Sequence, residues 1–93
     1  MKTLITFIHF NRKEDHLYRD NLDFFLKVGL FTSTDYHFNF VINSETGGEQ
    51  IPIHPNVSVI KGHNKGYDFG GYKQSIDSTN WKSFDRFIFI NDT

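Results

Sequence analysis

Residues 3–10, "TLITFIHF", are the strongest constraint on the fold: a nearly unbroken apolar run, rich in β-branched and aromatic types. Strict alternation would mark a strand with one wet face, whereas a continuous run marks a strand covered on both. The run is therefore expected to be a central strand of a parallel sheet. A second strand is expected over 36–43, "YHFNFVIN", where Tyr36, Phe38, Phe40 and Ile42 alternate with His37, Asn39 and Val41. Shorter strands are expected at 57–60, "VSVI", and at 84–90, "FDRFIFI", the last with a strongly apolar end.

Between the first two strands, Tyr18, Leu22, Phe25 and Leu17, Phe24, Val28 recur at three- and four-residue steps, which is the spacing of an amphipathic helix over 15–28. Asn11 or Asp15 would cap it, Glu14 and Asp15 would suit its positive end, and Gly29 would stop it. Both prolines and two adjacent glycines fall in 44–56, so that stretch reads as a loop with at most one short extended piece. A second helix is expected from Gly70 or Gly71 to Ser78. Trp81 reads as a core residue.

The resulting order, β-α-β-loop-β-α-β, predicts an α/β fold with a mostly parallel open sheet and right-handed crossovers. With 93 residues the chain is one domain, and only about 60–65% of its unfolded surface would be buried on folding. Eleven Phe, four Tyr and one Trp supply ample apolar material for one core. No internal repeat or low-complexity tract divides it. Ending on an apolar strand, where an α/β sheet would normally continue into a helix, suggests a piece of a longer polypeptide.

Several function classes are excluded by composition. Net charge is −1, which provides no electrostatic footprint for nucleic acid. There is no cysteine, hence no disulfide framework, thiolate nucleophile or sulfur-based zinc site. His9, His16, His37, His54 and His63 lack metal-site spacing. No run approaches the ~20 apolar residues of a transmembrane helix, and the N-terminus has no signal-peptide cleavage site, so a cytoplasmic location is expected.

Open parallel sheets bind ligands beyond the carboxyl ends of their strands. Polar residues collect there: Asn11-Arg12 after the first strand, Lys61-Gly62-His63-Asn64 after the third, and Asn91-Asp92-Thr93 after the fourth. Familiar phosphate loops do not account for them. Gly66 and Gly71 have the G-x₄-G spacing, but Tyr72 replaces the P-loop lysine and Gln74 stands near the place of its Ser or Thr. "NRKEDH" contains no glycine, so the dinucleotide fingerprint is absent, as is the G-x-S-x-G elbow.

What remains is the segment "NKGYDFGGY", residues 64–72, followed about two dozen residues later by "FDRFIFINDT". This pair resembles the N-terminal half of GT-A-type glycosyltransferases, most closely the group of rhamnan-synthesis F-like proteins and related viral transferases. The resemblance runs the length of the chain, its specificity lying in the glycine segment and the terminal "NDT" triplet, which stands in place of D-x-D. It implies a GT-A/Rossmann-like half domain over 1–93 that binds a nucleotide-sugar for polysaccharide biosynthesis.

On that resemblance Asp92 matches the acid holding Mn²⁺ or Mg²⁺ on the donor diphosphate, flanked by Asn91. Asn64, Gly66 and Asp68 match the segment packed around the donor, and Asn11 and Arg12 line the same edge. A hard cation between carboxylate and diphosphate would relieve their repulsion and stabilise the leaving group. The glycan acceptor and catalytic base would belong to the remainder of the polypeptide. The alternative is a non-catalytic α/β module that binds a nucleotide or carbohydrate.

Each assignment has a structural rival. Asp68 is also a good turn former or helix cap, Asn64 and Gly66 also suit a turn, and Asp92 is also an ordinary strand-end acid. Tyr67, Phe69 and Tyr72 read as aromatics covering the sheet.

Overall fold

The computed structural model describes residues 1–9, 16–42, 48–61, 72–73 and 75–91. Its sheet has four strands: β1 (Thr3–His9), β2 (Tyr36–Ile42), β3 (Val57–Lys61) and β4 (Arg86–Asn91). The spatial order is β3-β2-β1-β4, and every neighbouring pair is parallel. The chain is thus an α/β protein, with β1 in an interior position as its continuous apolar run requires. All seven β1 residues are buried.

Side-chain alternation divides the sheet into two unlike faces. On one, Ile5 and Phe7 of β1 lie beside Phe38, Phe40 and Ile42 of β2 and are covered by Leu22, Phe25 and Leu26 of α1 (His16–Val28). Phe25 is the centre of that contact, its ring 4.7 Å from Phe7 and 6.0 Å from Phe40. The helix stops where expected. A Cβ on Gly29 would come within 2.8 Å of the Phe25 ring, and the Gly29 amide donates to the Phe25 carbonyl at 2.7 Å.

The expected apolar stripe on α1 is narrower than its spacing suggested. Leu22 and Phe25 face the sheet, whereas Phe24 and Val28 are mostly exposed, because only one face of a single-layer helix meets the strands.

From β2 to β3 the chain crosses through a segment whose described part, 48–56, contains turns and no helix. Gly48 adopts φ 81, a left-handed conformation that lets the Ile51 amide donate back to its carbonyl. Ile51 is thereby folded into the apolar core.

The second helical stretch, α2, is described at 72–73 and 75–77, and residues 78–80 form a turn. A 3₁₀ turn, Trp81–Ser83, then leads to β4. Trp81 is 47% exposed, which corrects its assignment to the core: the 3₁₀ turn sits outside both packed layers. β4 also begins two residues later than expected, at Arg86, with the amides of Asp85 and Arg86 donating to the Lys2 carbonyl.

β4 is not the buried strand that its composition suggested. Phe87, Ile88 and Phe89 are each 36–44% exposed. The topology explains this, because β4 is an outer strand of the described sheet while α1 lies mainly over β1 and β2.

Candidate functional site at the carboxyl edge of the sheet

With all strands parallel, their carboxyl ends share one edge: His9 of β1, Ile42 of β2, Lys61 of β3 and Asn91 of β4. The chain order reverses between β1 and β4, since β2 and β3 extend the sheet to one side of β1 and β4 adds to the other. Such a reversal sends successive connections to opposite faces and opens a crevice between the two carboxyl ends. Ile8 of β1 pairs with Asn91 of β4 at this place.

A small apolar cluster underlies the edge on the face away from α1. Ile8 and Val41 are fully buried and Ile60 and Tyr72 pack on them. The Tyr72 ring lies 4.6 Å from Phe89, so the first described residue of α2 packs against β4. The expectation that Tyr72 covers the sheet is met. The described residues on either side of the glycine segment in sequence are Lys61, at the end of β3, and Tyr72 of α2.

Of the sequence-assigned residues, Asn91 is the last residue of β4, beside β1. Asn11, Arg12, Asn64, Gly66, Asp68 and Asp92 lie outside the described residues, as do Tyr67 and Phe69. Among the described residues no group of three or more His, Cys, Asp or Glu side chains could hold a metal. No described helix is long and apolar enough to cross a membrane.

Two features escape a reading of the sequence. The first is a buried polar network at the centre of the α2 face, in which the Asn39 amide nitrogen donates to Ser75 Oγ at 2.9 Å and to Thr79 Oγ1 at 2.7 Å. The hydroxyls of Thr6 and Ser75 meet at 2.7 Å. A signal for it was present: Thr6 and Asn39 are polar interruptions of apolar strands and are direct register partners.

The second feature is a cavity of about 290 Å³ at the opposite, amino edge, lined by Lys2, Asp35, Tyr36, His37, Asn56 and Phe84 among others. His37 Nε2 lies 2.8 Å from Ser58 Oγ, and its ring centre is 6.3 Å from that of Phe84. Burial pushes the His37 pKa below its ordinary value of 6.5, against a smaller upward pull from its hydrogen bond with Asn39. Below pH 6.5 the unfolded chain therefore binds a proton here more readily than the folded one, so this contribution to stability is present at neutral pH and is lost as pH falls through the folded-state pKa. In urea titrations at pH 5 and pH 7.5, His37→Gln is expected to reduce the acid-side loss of stability. An unchanged pH difference would remove His37 as its source.

No protein-family profile, no curated protein and no solved structure matches this chain.

Proposed function

We propose that this chain is the nucleotide-sugar-binding part of a metal-dependent glycosyltransferase with a GT-A-like sheet, similar to the rhamnan-synthesis F-like group. The observation that carries the reading is the coincidence of motif and topology. The described residue of each segment of the resemblance, Tyr72 of 64–72 and Asn91 of 91–93, stands towards the carboxyl edge, Tyr72 on Ile8 and Val41 and Asn91 beside β1, and open parallel sheets bind ligands at that edge.

Asp92 follows the last residue of β4 and, with Asn91 beside it, offers oxygen donors of the kind that suit Mg²⁺ or Mn²⁺. The cation, when bound, neutralises the donor diphosphate and the charge that develops on it as the sugar leaves. Asp68, as an ionised carboxylate, accepts hydrogen bonds from sugar or ribose hydroxyls. Gly66, Gly70 and Gly71 let backbone amides approach the donor. The glycan acceptor and the catalytic base come from the remainder of the polypeptide.

Calorimetric titration with UDP, GDP and their sugars, with and without Mn²⁺, tests this. Binding is expected to require the metal and to weaken at least about tenfold in Asp92→Asn, the scale of a lost ligand or its support. Metal-independent binding would favour a non-catalytic binding module. A folded chain that binds no nucleotide under either condition would sink both readings.

A further inference from the structure

We infer that the Thr6–Asn39–Ser75–Thr79 network is a register lock that fixes where α2 begins along the sheet. The described helical residues of α2 end at 77, and isolated helices under about 12–15 residues are marginal in water, so tertiary contacts help to place it. Its apolar anchoring is slight. Among the described residues Tyr72 packs on Ile8 and Val41 and against the Phe89 ring, and such contacts are non-directional and tolerate sliding.

The polar contacts are directional and bridge two successive turns. Asn39 has one amide nitrogen with two hydrogens, and each is taken by a hydroxyl, Ser75 Oγ and Thr79 Oγ1, four residues apart on one side of α2. Thr79 Oγ1 in turn donates to the Ser75 carbonyl at 2.7 Å, which leaves it an acceptor for Asn39. Asn39, Thr6 and Ser75 are fully buried, so no water replaces a lost partner.

Sliding α2 by one turn breaks this match in either direction. In one, Gly71 would take the place of Ser75 and leave an Asn39 hydrogen without a partner. In the other, the helix would have to run through 78–83, where the chain forms a turn and then the 3₁₀ turn that leads into β4. The lock therefore sets how far along the sheet Tyr72 stands. Its consequence for donor binding rests on the proposed function; the register itself does not.

Two-dimensional NMR of the chain tests the inference through the Tyr72–Phe89 ring contact and amide exchange at 75–79. An all-apolar variant, Thr6→Val/Asn39→Leu/Ser75→Ala/Thr79→Val, removes the four polar side chains of the network together, so that none of them is left facing an unpaired partner, and separates register from stability. The lock predicts a folded variant whose Tyr72–Phe89 cross-peaks split or lose at least half their intensity, with amide exchange about tenfold faster at 75–79. A single, full-intensity set of cross-peaks would overturn it, because apolar packing would then suffice. Loss of the fold would overturn it too, making the network a condition of folding. Ser75→Ala alone should give an intermediate change. If the unmodified chain binds a nucleotide with Mn²⁺, the all-apolar variant should bind it about tenfold more weakly, and equal affinity would end the positioning role. If it binds none, the proposed function fails while the NMR result still decides the lock.

Discussion

Phe40→Ala is expected to destabilise the chain by about 3–5 kcal/mol, the range for deleting a buried aromatic side chain. Phe40 has no exposed surface and sits where β2, β1 and α1 meet, its ring 5.8 Å from Phe7, 6.0 Å from Phe25 and 6.4 Å from Phe38. Truncation withdraws one ring from three contacts at once. Phe7 and Phe38 stand on neighbouring positions of the sheet and have no freedom to collapse into the gap. A domain of this size has only about 5–15 kcal/mol of total stability, so a large fraction of the molecules should unfold on mild warming. The urea midpoint measures this, with Phe24→Ala as the comparison, since Phe24 is 66% exposed on the outer side of α1. Equal midpoints for the two variants would show that the α1 face of the sheet is not the main core.

Asn56→Asp should be comparably severe, and dependent on pH. The Asn56 side-chain nitrogen donates to the Phe31 carbonyl at 3.0 Å and to the Tyr36 carbonyl at 3.1 Å, clipping the α1–β2 connection to the start of β3. Two carbonyl acceptors fix the orientation of this amide, because a flip would set oxygen against oxygen. Its own oxygen is buried without a partner among the described residues, so the contacts shown for this side chain are the two that it donates. Aspartate has the same shape, but its carboxylate would face two carbonyls with no hydrogen to offer. Removing one partner from a buried pair costs about 1–3 kcal/mol per group, and a buried unpaired charge adds to that.

Desolvation and the two carbonyls would both raise the pKa of this new acid above its unfolded value of about 4. The sign follows directly: the variant is most stable below that value and loses stability as pH rises through the folded-state pKa. Urea midpoints for Asn56→Asp should therefore rise on acidification relative to the parent. A constant difference across pH 4 to 8 would show that the oxygen reaches water.

Much of the fold was legible because apolar pattern and burial coincide in the interior of a sheet. "TLITFIHF" announced a strand covered on both faces, and β1 is buried along its whole length between two parallel neighbours. The same rule misread "RFIFI", because pattern reports what a strand could bury, while the strand order decides what covers it. Trp81 failed in the same way: a large indole suggests a core, and a 3₁₀ turn beyond both layers leaves it half in water. Phe24 and Val28 satisfied helical spacing, yet only the Leu22–Phe25–Leu26 side meets the sheet.

At the carboxyl edge, the parallel order of strands was legible and their pairing was not. Polar residues after β1, β3 and β4 pointed to a shared edge, but that β1 and β4 are the adjacent pair follows from strand order, which no local pattern encodes. The Asn39 network was likewise hidden, since an Asn in an alternating strand reads as solvent-facing until a second helix is known to cover it.

The placement of β1 has a consequence for synthesis on the ribosome. β1 is an interior strand of the described sheet, and it is synthesised long before β4, its second neighbour: the Lys2 amide bonds to Asp85, 83 residues away. At roughly 5–20 residues per second, one side of β1 waits on the order of 4–16 seconds for β4. During that interval β1, β2 and α1 can already associate, with the β4 side of β1 open to any other strand. Protection of the nascent chain over this window, rather than the strength of the finished core, should govern how much of it reaches the native pairing.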